Sequence, residues 1–185
     1  MAERPSVARA ARPATSGTAE LATAEDTIAL GARLGGQLRA GDVVVLSGPL
    51  GAGKTVLAKG IARAMDVEGP VLSPTFVLAR VHRARRAGTP AMIHVDLYRL
   101  LDHASVDLLA ELDALDLDTD LDAAVVVVEW GEGLAERLSD SHLDIRLERR
   151  PNTEVPNTEV PNTEVPNTEV PNTEVRTAGW QWRRQ

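Results

Sequence analysis

Gly48, Gly53, Lys54 and Thr55, within Ser47-Gly48-Pro49-Leu50-Gly51-Ala52-Gly53-Lys54-Thr55, follow the spacing G-x-x-x-x-G-K-[ST], a pattern suited to holding a polyphosphate. Glycines permit the tight turn that aligns successive backbone N–H groups on an anion, and a following helix adds the positive end of its dipole. Gly51 gives the loop a third flexible point, and Leu50 and Ala52 complete the cradle. Lys54 would reach the β- and γ-phosphates, while Thr55 would place its hydroxyl on a Mg²⁺ ion bridging them. The chemistry implied is hydrolysis of a nucleoside triphosphate. A glycine-rich strand-to-helix turn that binds nothing is the plain alternative. Lysine occurs only at positions 54 and 59, against eighteen arginines, so a compact ammonium stands where a phosphate loop needs one.

Two carboxylates complete the candidate chemistry. The stretch Ala91-Met92-Ile93-His94-Val95-Asp96 reads as a strand ending at Asp96, where a carboxylate can hold Mg²⁺ directly or through water. Glu129 ends the strongest buried-strand signal in the chain, Ala123 to Val128, and is a candidate to position the attacking water or to support the metal shell. The plain alternatives are helix caps: Asp96 for the segment after it, and Glu129 for a helix over 132–138. Ligands gather at the carboxyl ends of parallel strands, which favours a functional Glu129. His94 shares a strand face with Asp96, and a structural hydrogen bond is its expected role.

These residues need elements to position them. Asp42-Val43-Val44-Val45-Leu46 is a short β-branched run and Thr55 to Met65 has helical character, so strand, glycine turn and helix follow in the required order. Upstream, Thr23-Ala24-Glu25-Asp26 resembles a helix start, with Ile28, Leu30, Leu34 and Leu38 at helical spacing until Gly41. In the stretch Gly69 to Leu78, Pro74 keeps Ser73 extended. That stretch, with Thr75, is either a loop sensing the γ-phosphate or a turn into a strand over 75–82. His82 to Gly88 is a basic hairpin tip, and Ser105 to Leu115 has helical spacing. The alternation in Leu143-Asp144-Ile145-Arg146-Leu147-Glu148 predicts an antiparallel edge strand with one wet face.

Composition bounds the rest. The 185 residues suit one domain, with an aliphatic core, and the lack of cysteine excludes disulfides, thiolate metal sites and a cysteine nucleophile. No apolar span reaches membrane-helix length, and a cytoplasmic protein is expected. Net charge is −7, yet five of the 27 acidic residues lie in one repeat, leaving 22 acids against 20 basic residues, or −2, for the body. That balance gives no electrostatic case for binding DNA or nucleic acid broadly. Residues 1–20, rich in Ala, Arg and Pro, read as a disordered tail. An Arg-rich start also fits a transit peptide, but amphipathic periodicity is lacking. The pentapeptide Pro-Asn-Thr-Glu-Val occurs five times over 151–175, where proline at every fifth position forbids a helix and one valine per copy cannot build a core. A flexible, acidic insertion is expected. Trp180 and Trp182 alternate in 176–185, as in a closing strand.

Gly48 to Thr55, Ser73-Pro74-Thr75-Phe76, His94-Val95-Asp96-Leu97-Tyr98-Arg99-Leu100 and Glu129-Trp130-Gly131-Glu132, in this order and spacing, closely resemble the bacterial TsaE (YjeE) family over residues 20 to 150. The resemblance implies a P-loop NTPase fold, mainly parallel with an antiparallel C-terminal edge, and an ATPase of tRNA threonylcarbamoyladenosine synthesis. Its cofactors would be ATP and Mg²⁺. Its partners would be TsaD and TsaB homologues, with tRNA reached only through their complex and adenosine 37 of ANN-reading tRNAs as the modified base. By the same resemblance Lys54 and Thr55 bind phosphate and Mg²⁺, Thr75 belongs to a switch-like loop, Asp96 supports Mg²⁺, Glu129 is needed for hydrolysis, and Trp130 lies near the nucleotide base. The pentapeptide array departs from the family pattern. Two rival functions share the fold: a small-molecule P-loop kinase, and a nucleotide-gated binding module with negligible turnover.

Overall fold

The computed structural model describes residues 16–72, 78–98, 121–133, 138–139, 141–150 and 175–184. In chain order these form β1 (Ser16–Leu21), α1 (Ala24–Gly35), β2 (Val43–Ser47), α2 (Lys54–Met65), β3 (Ala79–His82), β4 (Ala91–Asp96), a 3₁₀ turn (Leu121–Ala123), β5 (Ala124–Glu129), β6 (Ser141–Arg150) and β7 (Val175–Arg184). The sheet has seven strands in the order β1-β7-β6-β2-β5-β4-β3. Its middle is parallel, β2 pairing with β5 and β6, and β5 with β4. Both margins are antiparallel, β3 on β4 and β7 on β6, with β1 outermost on β7. A mainly parallel sheet with an antiparallel C-terminal margin is the fold class the sequence predicts.

The parallel centre follows from residue type. Every residue of β2 and β5 is buried, as the unbroken β-branched runs require when a strand is covered on both faces. Alternation divides them between two apolar clusters. Val44, Leu46, Val125 and Val127 join Leu57 and Ile61 of α2 on one face, and Val43, Val45, Val126 and Val128 join Ile93 and Val95 on the other.

Helix α1 starts at the expected place. Thr23 accepts from the Asp26 N–H at 3.0 Å, and the Asp26 carboxylate accepts from the Thr23 N–H at 2.8 Å, a reciprocal cap. The helix ends at Gly35, not near Gly41. Tighter turns then carry the chain on, with Gln37 N–H to Leu34 O and Leu38 N–H to Gly35 O, which is why Leu38 keeps its helical spacing beyond the helix. The two helices cross in close contact: a Cβ on Gly60 would stand 2.2 Å from the Ile28 carbonyl oxygen, and one on Gly31 2.3 Å from that of Leu57.

Three further expectations change. Residues 16–20 of the expected tail belong to β1, in register Ser16↔Gln181 to Leu21↔Arg176. The segment is weak in strand propensity, and β7 supplies the pairing, with Trp180 lying against Gly17. Second, β6 is not an edge. Leu143, Ile145 and Leu147 are buried and the alternation holds, but β7 and β1 lie beyond it; the first is separated from β6 by the array and the second by more than a hundred residues, so local pattern could not place them. Third, the strand expected over 75–82 is Ala79–His82. Residues 73–77, the helix expected over 105–115 and the array up to 174 lie outside the described residues, and the helix expected over 132–138 does so at 134–137. The closing strand is present as β7. Among the described residues no helix is long and apolar enough to cross a membrane.

Gly60→Ala is expected to lower stability by about 2–3 kcal/mol in urea unfolding, because a methyl group there meets backbone that cannot step aside. Replacing residues 151–174 by Asn-Gly, which suits a two-residue turn between Arg150 and Val175, is expected to keep a single cooperative thermal transition at no lower temperature.

Candidate nucleotide site

Strand β2 ends at Ser47, and the chain turns back into α2 through three left-handed glycines, Gly48 (φ 130°), Gly51 (φ 73°) and Gly53 (φ 105°). Two of these are also fixed by neighbours. A Cβ on Gly48 would lie 2.1 Å from the Leu147 carbonyl oxygen of β6, and one on Gly51 would lie 2.9 Å from Arg149 Nη2. Arg149 donates from Nη2 to the Gly51 carbonyl at 2.8 Å, so the end of β6 braces the loop from outside. Gly53 is the N-cap of α2 and brings no side chain to the first-turn amides, in contrast to the capped α1. Those amides are therefore open to an anion.

Sheet register assembles the acids. Glu129 pairs with Leu46 on one side and with Asp96 on the other, so both carboxylates stand at the carboxyl ends of adjacent parallel strands beside the loop. Thr55 donates its hydroxyl to Glu129 Oε2 at 3.1 Å. His94 Nε2 lies 2.9 Å from Glu129 Oε1, which realises the structural hydrogen bond expected of His94. Asp96 Oδ1 accepts from Tyr98 N–H at 3.0 Å, a local turn contact like the capping alternative. Glu129 faces Thr55 and His94.

Lys54 is nearly buried, with 4 % of its surface exposed. Its ammonium donates to the Gly48 and Pro49 carbonyls at 2.7 and 3.0 Å and lies 3.6 Å from the centre of the Trp130 ring. Burial pushes its pKa below the ordinary lysine value, and the charges of Glu129, Asp96 and Glu132 oppose that. Trp130 takes a left-handed conformation (φ 62°), which costs a bulky residue about 1–2 kcal/mol, and its ring meets Tyr98 at 5.2 Å.

A cleft of about 400 Å³ gathers these groups. Leu50, Gly51, Gly53, Lys54 and Thr55 line one side of it, and Asp96, Glu129 and Trp130 line the other. Gly48 shapes the loop from behind, and Ala52 is buried in the core. Thr75 lies outside the described residues. Sequence reasoning missed Tyr98 and Val56 in the lining, the Arg149 brace and the pull of Glu132 on Lys54; Tyr98, Val56 and Glu132 each lie within three residues of a candidate site residue, whereas Arg149 had no local signal. The donor set suits Mg²⁺: a hydroxyl and two carboxylates offer only oxygen. Among the described residues no group of three or more acids, histidines or cysteines could hold a metal alone, so phosphate and water oxygens would complete the shell.

Comparison with known proteins follows the same motifs. The family model described as "Threonylcarbamoyl adenosine biosynthesis protein TsaE" matches residues 21–156. The chain belongs to the TsaE family. Relatives named tRNA threonylcarbamoyladenosine biosynthesis protein TsaE include that of Mycobacterium tuberculosis H37Rv, 80% identical over 133 residues, covering 72% of this chain and 79% of the relative. That of Mycobacterium leprae is 67% identical over 158 residues (85% and 86%), and that of Streptomyces coelicolor is 51% identical over 120 residues (65% and 77%). The crystal structure of Bacillus subtilus YdiB superposes with a TM-score of 0.57 over 90% of this chain and 85% of that one; at 22% identity the likeness concerns the fold alone. This TsaE chain thus has the P-loop fold expected of it.

The lowered Lys54 pKa carries a sign. A lysine whose folded pKa lies below its unfolded value of 10.5 weakens the fold at neutral pH, and this cost fades as pH rises from the folded pKa towards the unfolded one. Urea titrations in the alkaline range are therefore expected to show the wild type gaining stability with pH relative to Lys54→Met.

Proposed function

We propose that this chain is a Mg²⁺-dependent ATPase of tRNA threonylcarbamoyladenosine synthesis, acting on a complex of TsaB and TsaD homologues and meeting tRNA only through that complex. The observation that carries the reading is the bond from the Thr55 hydroxyl to Glu129, which joins the loop's metal-binding hydroxyl to an acid at the end of the neighbouring parallel strand. Family membership supports the pathway, and the cleft supports the reaction.

In this reading the loop amides and Lys54 hold the β- and γ-phosphates, with the ammonium leaving the Gly48 and Pro49 carbonyls for phosphate oxygens. Thr55 and Asp96 would hold Mg²⁺, which when bound neutralises charge on the transferring phosphoryl group. Glu129, whose Oε2 accepts from the Thr55 hydroxyl, orients the attacking water and supports the metal shell. Trp130 forms the wall beside Lys54, on the side proposed for the base. Thr75 would contribute from the adjoining loop. A cytoplasmic location accords with a tRNA-modifying role.

Weak ATP turnover by the chain alone, rising on addition of the TsaB–TsaD homologues of the same organism, is the expected result; turnover indifferent to them would favour a small-molecule kinase. Lys54→Ala is expected to lower nucleotide affinity at least tenfold with or without Mg²⁺. Asp96→Ala should chiefly abolish the gain in affinity that Mg²⁺ gives, and Glu129→Gln should lower kcat at least a hundredfold with ATP still bound. A Glu129→Gln protein with full activity in tRNA modification would instead favour the nucleotide-gated module.

A further inference from the structure

His94 has no exposed surface. It stands on β4 opposite Val127, one step diagonally from Glu129 on the same sheet face. Glu129 has both oxygens engaged by different parts of the fold: Oε1 lies 2.9 Å from His94 Nε2, and Oε2 accepts from the Thr55 hydroxyl at 3.1 Å. One contact belongs to the sheet and the other to the nucleotide loop. A carboxylate only accepts, so the imidazole proton must sit on Nε2 for this contact to attract. The other nitrogen, Nδ1, is buried without a hydrogen-bond partner among the described residues; in a neutral ring a proton there would turn a lone pair on Nε2 towards the carboxylate.

We infer that His94 is a positioning residue for the proposed reaction: its Nε2–H donates to Glu129 Oε1 and so fixes the carboxylate with Oε2 turned to Thr55 and the cleft. Without it, Glu129 is free to rotate about its last side-chain bond, and the oxygen that must meet the water or the metal shell is no longer selected. This inference rests on the ATPase reading, because the consequence of a misplaced Glu129 is read in turnover.

The test compares His94→Gln, whose amide can donate from a similar point, with His94→Leu, which removes the donor. Turnover of Mg²⁺–ATP, ATP affinity without Mg²⁺, and ¹⁵N NMR of the nucleotide-free wild type are measured. His94→Leu is expected to lower kcat about 10- to 100-fold, the usual effect of losing a group that orients a site residue, with ATP affinity changed less than threefold. His94→Gln should recover at least a third of wild-type kcat, and the spectrum should show a proton on Nε2. Wild-type turnover in His94→Leu, equal loss in Gln and Leu variants that both melt as the native chain does, or an Nε2 that carries no proton would each overturn it. If the Leu variant does not fold, the Gln variant and the spectrum still decide. A wild type that binds ATP yet never turns it over sinks the ATPase reading instead, while the spectrum continues to report on the His94–Glu129 contact.

Discussion

Parallel pairing of β2 with β5 is the constraint on which the rest depends. Register Leu46↔Glu129 places an acid one strand spacing from the point where the chain leaves the sheet to form the glycine loop. That pairing needs both strands buried on both faces, which the valine runs provide, and it needs helices to cover one face, which the glycine contacts between α1 and α2 permit. A slip of one residue would turn Glu129 to the opposite face and leave Thr55 without its partner. Hydrophobic register and site geometry are thus one requirement.

The loop itself stands under opposing demands. In the proposed function its amides stay open to phosphate, as the uncapped start of α2 allows, and its lysine lies close to them with the ammonium largely withdrawn from water. The carbonyls of Gly48 and Pro49 and the face of Trp130 offset part of that cost. These are the contacts an anion would replace. The strained Trp130 backbone lies at the same spot, and local strain of this kind persists where the surroundings over-determine it.

Much of this was legible in the sequence, for a definite reason. The nucleotide loop, the ends of β4 and β5, and the cap of α1 are local signals: spacing, β-branched runs and a Thr–Asp pair three apart. The margins were not local. Whether Leu143 to Leu147 lies at an edge depends on Val175 to Arg184 and on Ser16 to Leu21, and the last of these has a composition that reads as tail. Arg149 gave no sign of its role, because its partner is a backbone carbonyl 98 positions earlier. The pairing of His94 with Glu129 required knowing that β4 and β5 are neighbours in parallel register.

One consequence concerns the number of pentapeptides. Strands β6 and β7 are held in register up to Arg150↔Val175 by their own ladder and by Leu143, Ile145, Ala178 and Trp180 in the core, so the connection between them does not have to hold the sheet together. For the flexible insertion that the sequence leads one to expect, the entropy of closure grows with the logarithm of length, and a sixth copy would add only about 0.2 kcal/mol. On that expectation, copy number is almost invisible to folding stability. Gain or loss of whole five-residue units, which keeps the reading frame, would then change the balance of folding little, whereas a one-residue slip of β2 on β5 would undo the candidate site.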